Sequence, residues 1–200
     1  MNNKSIYFIL LSMIFLWGSF VLFSYFSNPM GFLSYLGFVN GNSGTAISWI
    51  LALLIVVVYC TSAAKISDVK RYMFKIDRLK FVSIVAAVFA GIMEEIIYRK
   101  WIMDYLNSHD YSVVLQVILS GLAFGIVHLM WGVKNIKAGV NAMISTSLLG
   151  SGLAIVYLVS ERSLAPCIVA HFFITALIEP GLLIAAKNDK LGYWEEKTNK

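Results

Sequence analysis

Six stretches of this chain are apolar over the length a helix needs to cross a bilayer, and that leaves few folds open to it. A hydrocarbon core is spanned by roughly 20 apolar helical residues. Residues 6–26, 46–64, 81–107, 112–130, 140–159 and 164–186 each qualify. With 59% hydrophobic and 14% charged residues and a mean hydropathy of +0.77, the chain lies far outside the range of soluble domains. The expected fold class is all-α: a polytopic membrane helix bundle of about six transmembrane helices. It forms one domain over residues 1–200, with no internal repeat and a short polar tail at 188–200. The third run is longer than a crossing requires, which predicts a tilted helix or an interfacial turn at 101–107.

The polar residues between the runs orient the bundle. If the N-terminus is cytoplasmic, thirteen of the 16 Lys and Arg residues fall on the inner side, including Lys65, Lys70, Arg71, Lys75, Arg78 and Lys80 in one loop, and only Arg99, Lys100 and Arg162 fall outside. That bias predicts both termini in the cytoplasm. It also accounts for the basic balance without a nucleic-acid partner. The loop 28–44 carries no charge. Cys60 and Cys167 lie inside apolar runs and read as small buried hydrophobes, with neither disulfide nor metal spacing. The first run lacks a small-x-small cleavage signal after it and reads as a span rather than a signal peptide.

Ionisable side chains inside spans are costly, so the few present are informative. They are Glu94, Glu95 and Arg99 on the third run, His128 on the fourth, and His171 and Glu179 on the sixth. Consecutive helical residues point about 100° apart, so Glu94 and Glu95 cannot share a task. Glu95 and Arg99 stand four apart on one face and can pair, which leaves Glu94 without a partner in its own helix. One intramembrane histidine is commonly a structural hydrogen-bonder. Two of them, with a carboxylate pair, on three separate spans, point to a functional centre. His109 sits among Asn107, Ser108 and Asp110 and reads as solvated.

Three spacings, Glu94-Glu95-x-x-x-Arg99, Phe124-x-x-x-His128 and His171 with a polar residue four further on, occur in an order that resembles the CAAX prenyl endopeptidase type II and bacteriocin-processing (CPBP or Abi) family of intramembrane proteases. The resemblance covers roughly 81–186, a family-like catalytic core. It implies that Glu94 activates water with His128 helping to hold it. It further implies that His171 and its i+4 partner stabilise the oxyanion, and that Glu95 and Arg99 support them. The family usually has Asn, sometimes Asp, at that i+4 position, and this chain has Thr175. A threonine hydroxyl donates from the same face but is shorter. Loss of an oxyanion donor costs about 10² to 10³ in rate, so weakened activity is expected. The implied partners are a peptide or protein substrate at the membrane and the lipid bilayer itself, in a multi-pass protein of a bacterial cell membrane. Bacteriocin processing or self-immunity is the biological role that the analogy suggests.

The residues support that chemistry on their own terms. Amide hydrolysis needs a base for water and donors for the tetrahedral oxygen, and no cofactor is required. Glu94, His128 and His171 are also a ligand set that Zn²⁺ uses in catalytic sites, although HExxH is absent. A non-catalytic membrane immunity or scaffold protein of the same fold is the alternative, and Thr175 is its argument. A proton-coupled transporter lacks the expected repeats, and a serine protease built on Ser151 and His171 lacks the glycine expected two residues before the serine. With straight helices at 1.5 Å per residue, His128 falls roughly 10 Å closer to the cytoplasm than Glu94 and His171. Tilt of the third helix must close that gap if one wet cavity holds all three. Gly121 and Gly125, with Ser147 and Ser151, predict close helix packing, and Pro180 predicts a kink after Glu179.

Overall fold

A computed structural model describes residues 3–132, 135–188 and 191. Among these residues the secondary structure is helical throughout, and six helices are long and apolar enough to cross a membrane. Helix α1 spans Asn3–Ser27, α2 Pro29–Leu36, α3 Ala46–Ala63 and α4 Ser67–Tyr72. Helix α5, Arg78–Glu95, continues through a π-helix over Ile96–Met103 into α6, Asp104–Ser108. Helix α7, Val113–Ile126, tightens into a 3₁₀ turn over Val127–Gly132; α8 covers Ile136–Val159 and α9 Ala165–Lys187. Lys134 and most of the tail expected at 188–200 lie outside the described residues.

Two expectations are corrected. The uncharged loop at 28–44 contains α2, because Asn28 caps it by accepting from the Gly31 N–H, Pro29 supplies a preset first-turn φ, and Gly37 closes it in the left-handed conformation. The third span does not end in an interfacial turn at 101–107 but runs as one 31-residue segment, Arg78–Ser108. Its N-terminus is set by Asp77, whose carboxylate accepts from the Lys80 N–H at 2.9 Å.

Helix α9 is the centre of the bundle: 56% of its apolar window is buried, against 22% for α1 and 17% for α3. It packs against α3, α4, α5 and α8. The outer helices α1 and α3 turn Phe8, Phe15, Phe23, Ile50 and Leu53 outward, as lipid-facing helices should. The small-residue stripes meet as their spacing predicts. A Cβ on Gly121 would collide with Ser151 Oγ, and one on Gly125 with Ser147 Oγ, so α7 and α8 touch backbone to side chain.

Helix α9 runs unbroken through Pro180. Proline has no N–H to give to the carbonyl four residues earlier, here Ala176, and Lys80 takes up that carbonyl, its Nζ donating to Ala176 O at 2.6 Å and to Met73 O at 2.7 Å. Lys80, which its sequence context groups with the solvated basic loop, is therefore a buried side chain that joins α4, α5 and α9.

Candidate active site

The last turn of α5 presents Glu94 and Glu95, and the π-helix begins at the next residue. Wide π turns inside α-helices are commonly found at functional sites. This one carries Arg99 back onto Glu95: Arg99 Nε stands 2.9 Å from Glu95 Oε2, with both side chains fully buried. Arg99 Nη2 adds a longer hydrogen bond, donating to Glu95 Oε1 at 3.5 Å. The guanidinium also donates to Ser120 Oγ at 2.8 Å, and that hydroxyl donates to Tyr98 O at 2.9 Å. A buried ion pair is tolerable only when the remaining donors and acceptors find partners, and Ser120 supplies one of them from α7.

Glu95 has a second task that its sequence position does not reveal. Its Oε1 accepts from Nδ1 of His171, 76 residues further along the chain, at 2.8 Å. That contact fixes the ring: with the proton on Nδ1, Nε2 faces the other carboxylate, Glu94 Oε2, at 3.7 Å. Glu94 keeps 19% of its side chain exposed while Glu95 keeps none, so the two neighbours differ in access as well as direction. The resulting line of groups runs Ser120, Arg99, Glu95, His171, Glu94, from fully buried side chains to one that is partly exposed.

His128 reaches the same region through Phe124. Its Nδ1–H donates to Phe124 O at 2.8 Å, which leaves Nε2 as the acceptor. The Phe124 ring contacts His128 at 5.0 Å between centroids and His171 edge-on at 5.6 Å. It also lies under the Arg99 guanidinium at 5.5 Å. His128 stands in the 3₁₀ turn that follows α7, and the fully buried Phe124 ring contacts both imidazoles. Thr175, one helical turn beyond His171, is half-buried, and its hydroxyl has no hydrogen-bond partner among the described residues. Glu179 is buried one turn further on, within electrostatic reach of Glu94 and His171.

Among the described residues no three His, Cys, Asp or Glu side chains converge closely enough to hold a metal ion. Glu94 Oε2 and His171 Nε2 approach to 3.7 Å, but His128 does not join them in a grouping that could hold Zn²⁺.

The sequence profile of the family described as Type II CAAX prenyl endopeptidase Rce1-like matches residues 77–177. The chain belongs to this family. The match begins at the residue that caps α5 and ends just after Thr175, so it contains every candidate site residue except Glu179. Comparison with curated proteins and with solved structures finds no match. This Rce1-like chain is thus a multi-pass membrane protein of a protease family. Ser120 and the Glu95–His171 bond are what reading the sequence missed. An inventory confined to ionisable groups passes over a serine hydroxyl, although a polar residue in an apolar run is itself a signal.

Proposed function

We propose that this chain is an intramembrane endopeptidase that hydrolyses a membrane-associated peptide or protein through a water activated by Glu94. The observation that carries the proposal is the clamping of His171 between two carboxylates in the core of the bundle, 2.8 Å from Glu95 and 3.7 Å from Glu94. The longer distance leaves Glu94 Oε2 and His171 Nε2 unbonded to each other, each with capacity for a water or a substrate oxygen. Glu94, the partly exposed member of the line, takes the proton from water. His128, with Nε2 free to accept, helps to orient that water.

His171 receives the developing oxyanion only if it carries a proton on Nε2 as well as Nδ1, and Glu95 is the counter-ion that stabilises this imidazolium. Arg99 in turn keeps Glu95 ionised and in place. Thr175 is the second oxyanion donor, with a hydroxyl that no other side chain or carbonyl engages among the described residues. The proposed steps use these side chains alone; among the described residues no three His, Cys, Asp or Glu side chains gather a metal. The charge bias supports both termini lying in the cytoplasm, and the analogy with the family suggests a bacterial cell membrane with bacteriocin maturation or self-immunity as the role.

The test is cleavage of secreted peptides by membranes carrying wild type, Glu94→Gln or His171→Ala, with and without chelator. Loss of cleavage in both variants and retention with chelator is expected. Full cleavage by Glu94→Gln would end the proposal and leave the non-catalytic immunity reading, for which the substitution of Thr175 for Asn is the argument.

A further inference from the structure

Away from the candidate active site, a cavity of about 670 Å³ lies between α1 and the start of α5, lined by Tyr7, Asp77, Arg78, Phe81 and Val82. Small-molecule sites commonly enclose about 300–1,000 Å³. The lining is of two kinds. Phe81 and Val82 belong to the span that begins at Arg78, and Phe81 is 71% exposed. Arg78, at the mouth of that span, is exposed and has no hydrogen-bond or ion-pair partner among the described residues. The Tyr7 hydroxyl on α1 is likewise without a hydrogen-bond partner among them, and Lys4 is exposed one turn before it. Asp77 does not cancel this charge, because its carboxylate is engaged by the Lys75 ammonium at 3.0 Å and by the Lys80 N–H at 2.9 Å. A guanidinium facing water alone needs no partner, but one that borders an apolar groove at the end of a membrane span meets lipid phosphates, whose geometry it matches.

We propose that this cavity holds one anionic phospholipid, its phosphate on Arg78 and the Tyr7 hydroxyl and its chains along Phe81 and Val82. The apolar part of the lining argues for a lipid over a free phosphate, which would leave those side chains uncovered. The charge argues for an anionic headgroup: Lys4, Lys75 and Arg78 surround the cavity, and the carboxylate that could receive the cation of a zwitterionic headgroup, Asp77, already has two donors. The bound lipid has a structural consequence. Only 22% of the apolar window of α1 is buried, and near the cavity it rests on Ile6 and Leu10 packed with Leu79. A lipid shared by Tyr7 and Arg78 fastens α1, which lies outside the matched family segment, to the helix whose far end carries Glu94 and Glu95. The inference is independent of the peptidase reading.

The test titrates the full-length protein in detergent with phosphatidylglycerol, phosphatidylcholine or inorganic phosphate, and native mass spectrometry reads the number of bound molecules. One phosphatidylglycerol is expected to bind at concentrations where phosphatidylcholine and inorganic phosphate do not. Arg78→Gln should weaken that binding by about tenfold or more and Tyr7→Phe by roughly a few-fold, with Arg78→Lys in between because the charge stays and the planar fork is lost. Lys65→Gln and Lys70→Gln remove the same charge from exposed positions outside the cavity and should leave the binding unchanged. In thermal unfolding, phosphatidylglycerol should raise the Tm of wild type and of Lys65→Gln but not of Arg78→Gln, which without lipid should melt as wild type does and so controls for folding. Equal weakening by Arg78→Gln and Lys65→Gln would mean a diffuse basic face and no site. Equal binding of phosphatidylcholine would mean that only the chains are read, and equal binding of inorganic phosphate that the chains are not; each of these three results overturns the proposal.

Discussion

Replacing Lys80 by methionine should destabilise the bundle by an amount that depends on whether residue 180 is proline. The ammonium donates to Ala176 O at 2.6 Å and Met73 O at 2.7 Å, with a longer contact to Leu177 O at 3.4 Å. Hydrogen bonds to charged groups contribute about 1.5–3 kcal/mol each. Removing the charge returns part of that, because the ammonium is no longer held out of water. We expect Lys80→Met to cost roughly 2–4 kcal/mol on these figures. Pro180→Ala supplies the missing N–H to Ala176 O, so in that background the same change should cost about 1–2 kcal/mol less, one carbonyl being paired already. The interaction energy is read from the double-mutant cycle. Cys60 and Cys167 are both buried and free, so a thiol-reactive dye follows thermal unfolding of all four proteins in detergent. An identical cost of Lys80→Met in both backgrounds would refute the idea that this lysine serves the carbonyl left by the proline.

Three further outcomes follow from the same contacts. Arg99→Met should cost about 3–5 kcal/mol because it strands a buried Glu95, and adding Glu95→Gln should recover much of the stability in the dye assay while cleavage stays absent. Thr175→Asn restores a longer donor at the i+4 position and should raise kcat with KM little affected, measured on any peptide the wild type cleaves. At the start of α5, the Lys80 backbone N–H and then the Lys75 ammonium hold the Asp77 carboxyl below its ordinary value, and the same contact raises Lys75. A depressed carboxyl contributes stability that is complete above its unfolded pKa of about 3.9 and is lost as the pH falls through the folded value. Asp77→Ala should therefore cost about 0.5–2 kcal/mol near neutrality and progressively less on acidification, as seen in melting curves across that range.

Much of this architecture could be read before any coordinates. The spans were legible because lipid demands long uninterrupted apolar runs, and the ends of α3 and α8 fall within a few residues of the runs that predict them. The α7–α8 contact was legible because only small side chains let two helices approach so closely, and Gly121, Gly125, Ser147 and Ser151 mark it. Glu94, Glu95, Arg99, His128 and His171 stood out because charge and imidazole are rare in such runs. The short helix α2 was missed although Asn28 and Pro29 are its start signal, because a polar, glycine-containing segment between spans reads first as loop.

What the chain's own order of residues determined is local or solvent-driven: which segments enter the bilayer, which side chains are too polar to be there without cause, and which pairs four apart share a face. These follow from transfer free energies and helix periodicity, and need no knowledge of neighbours. What only the tertiary structure decided is which distant groups meet. That His171 is held by Glu95 and not by Glu94, that Ser120 completes the shell of Arg99, and that Lys80 serves a carbonyl on α9 all depend on how helices far apart in sequence are rotated against one another. Helix rotation is set by the packing of whole faces, and no short motif encodes it.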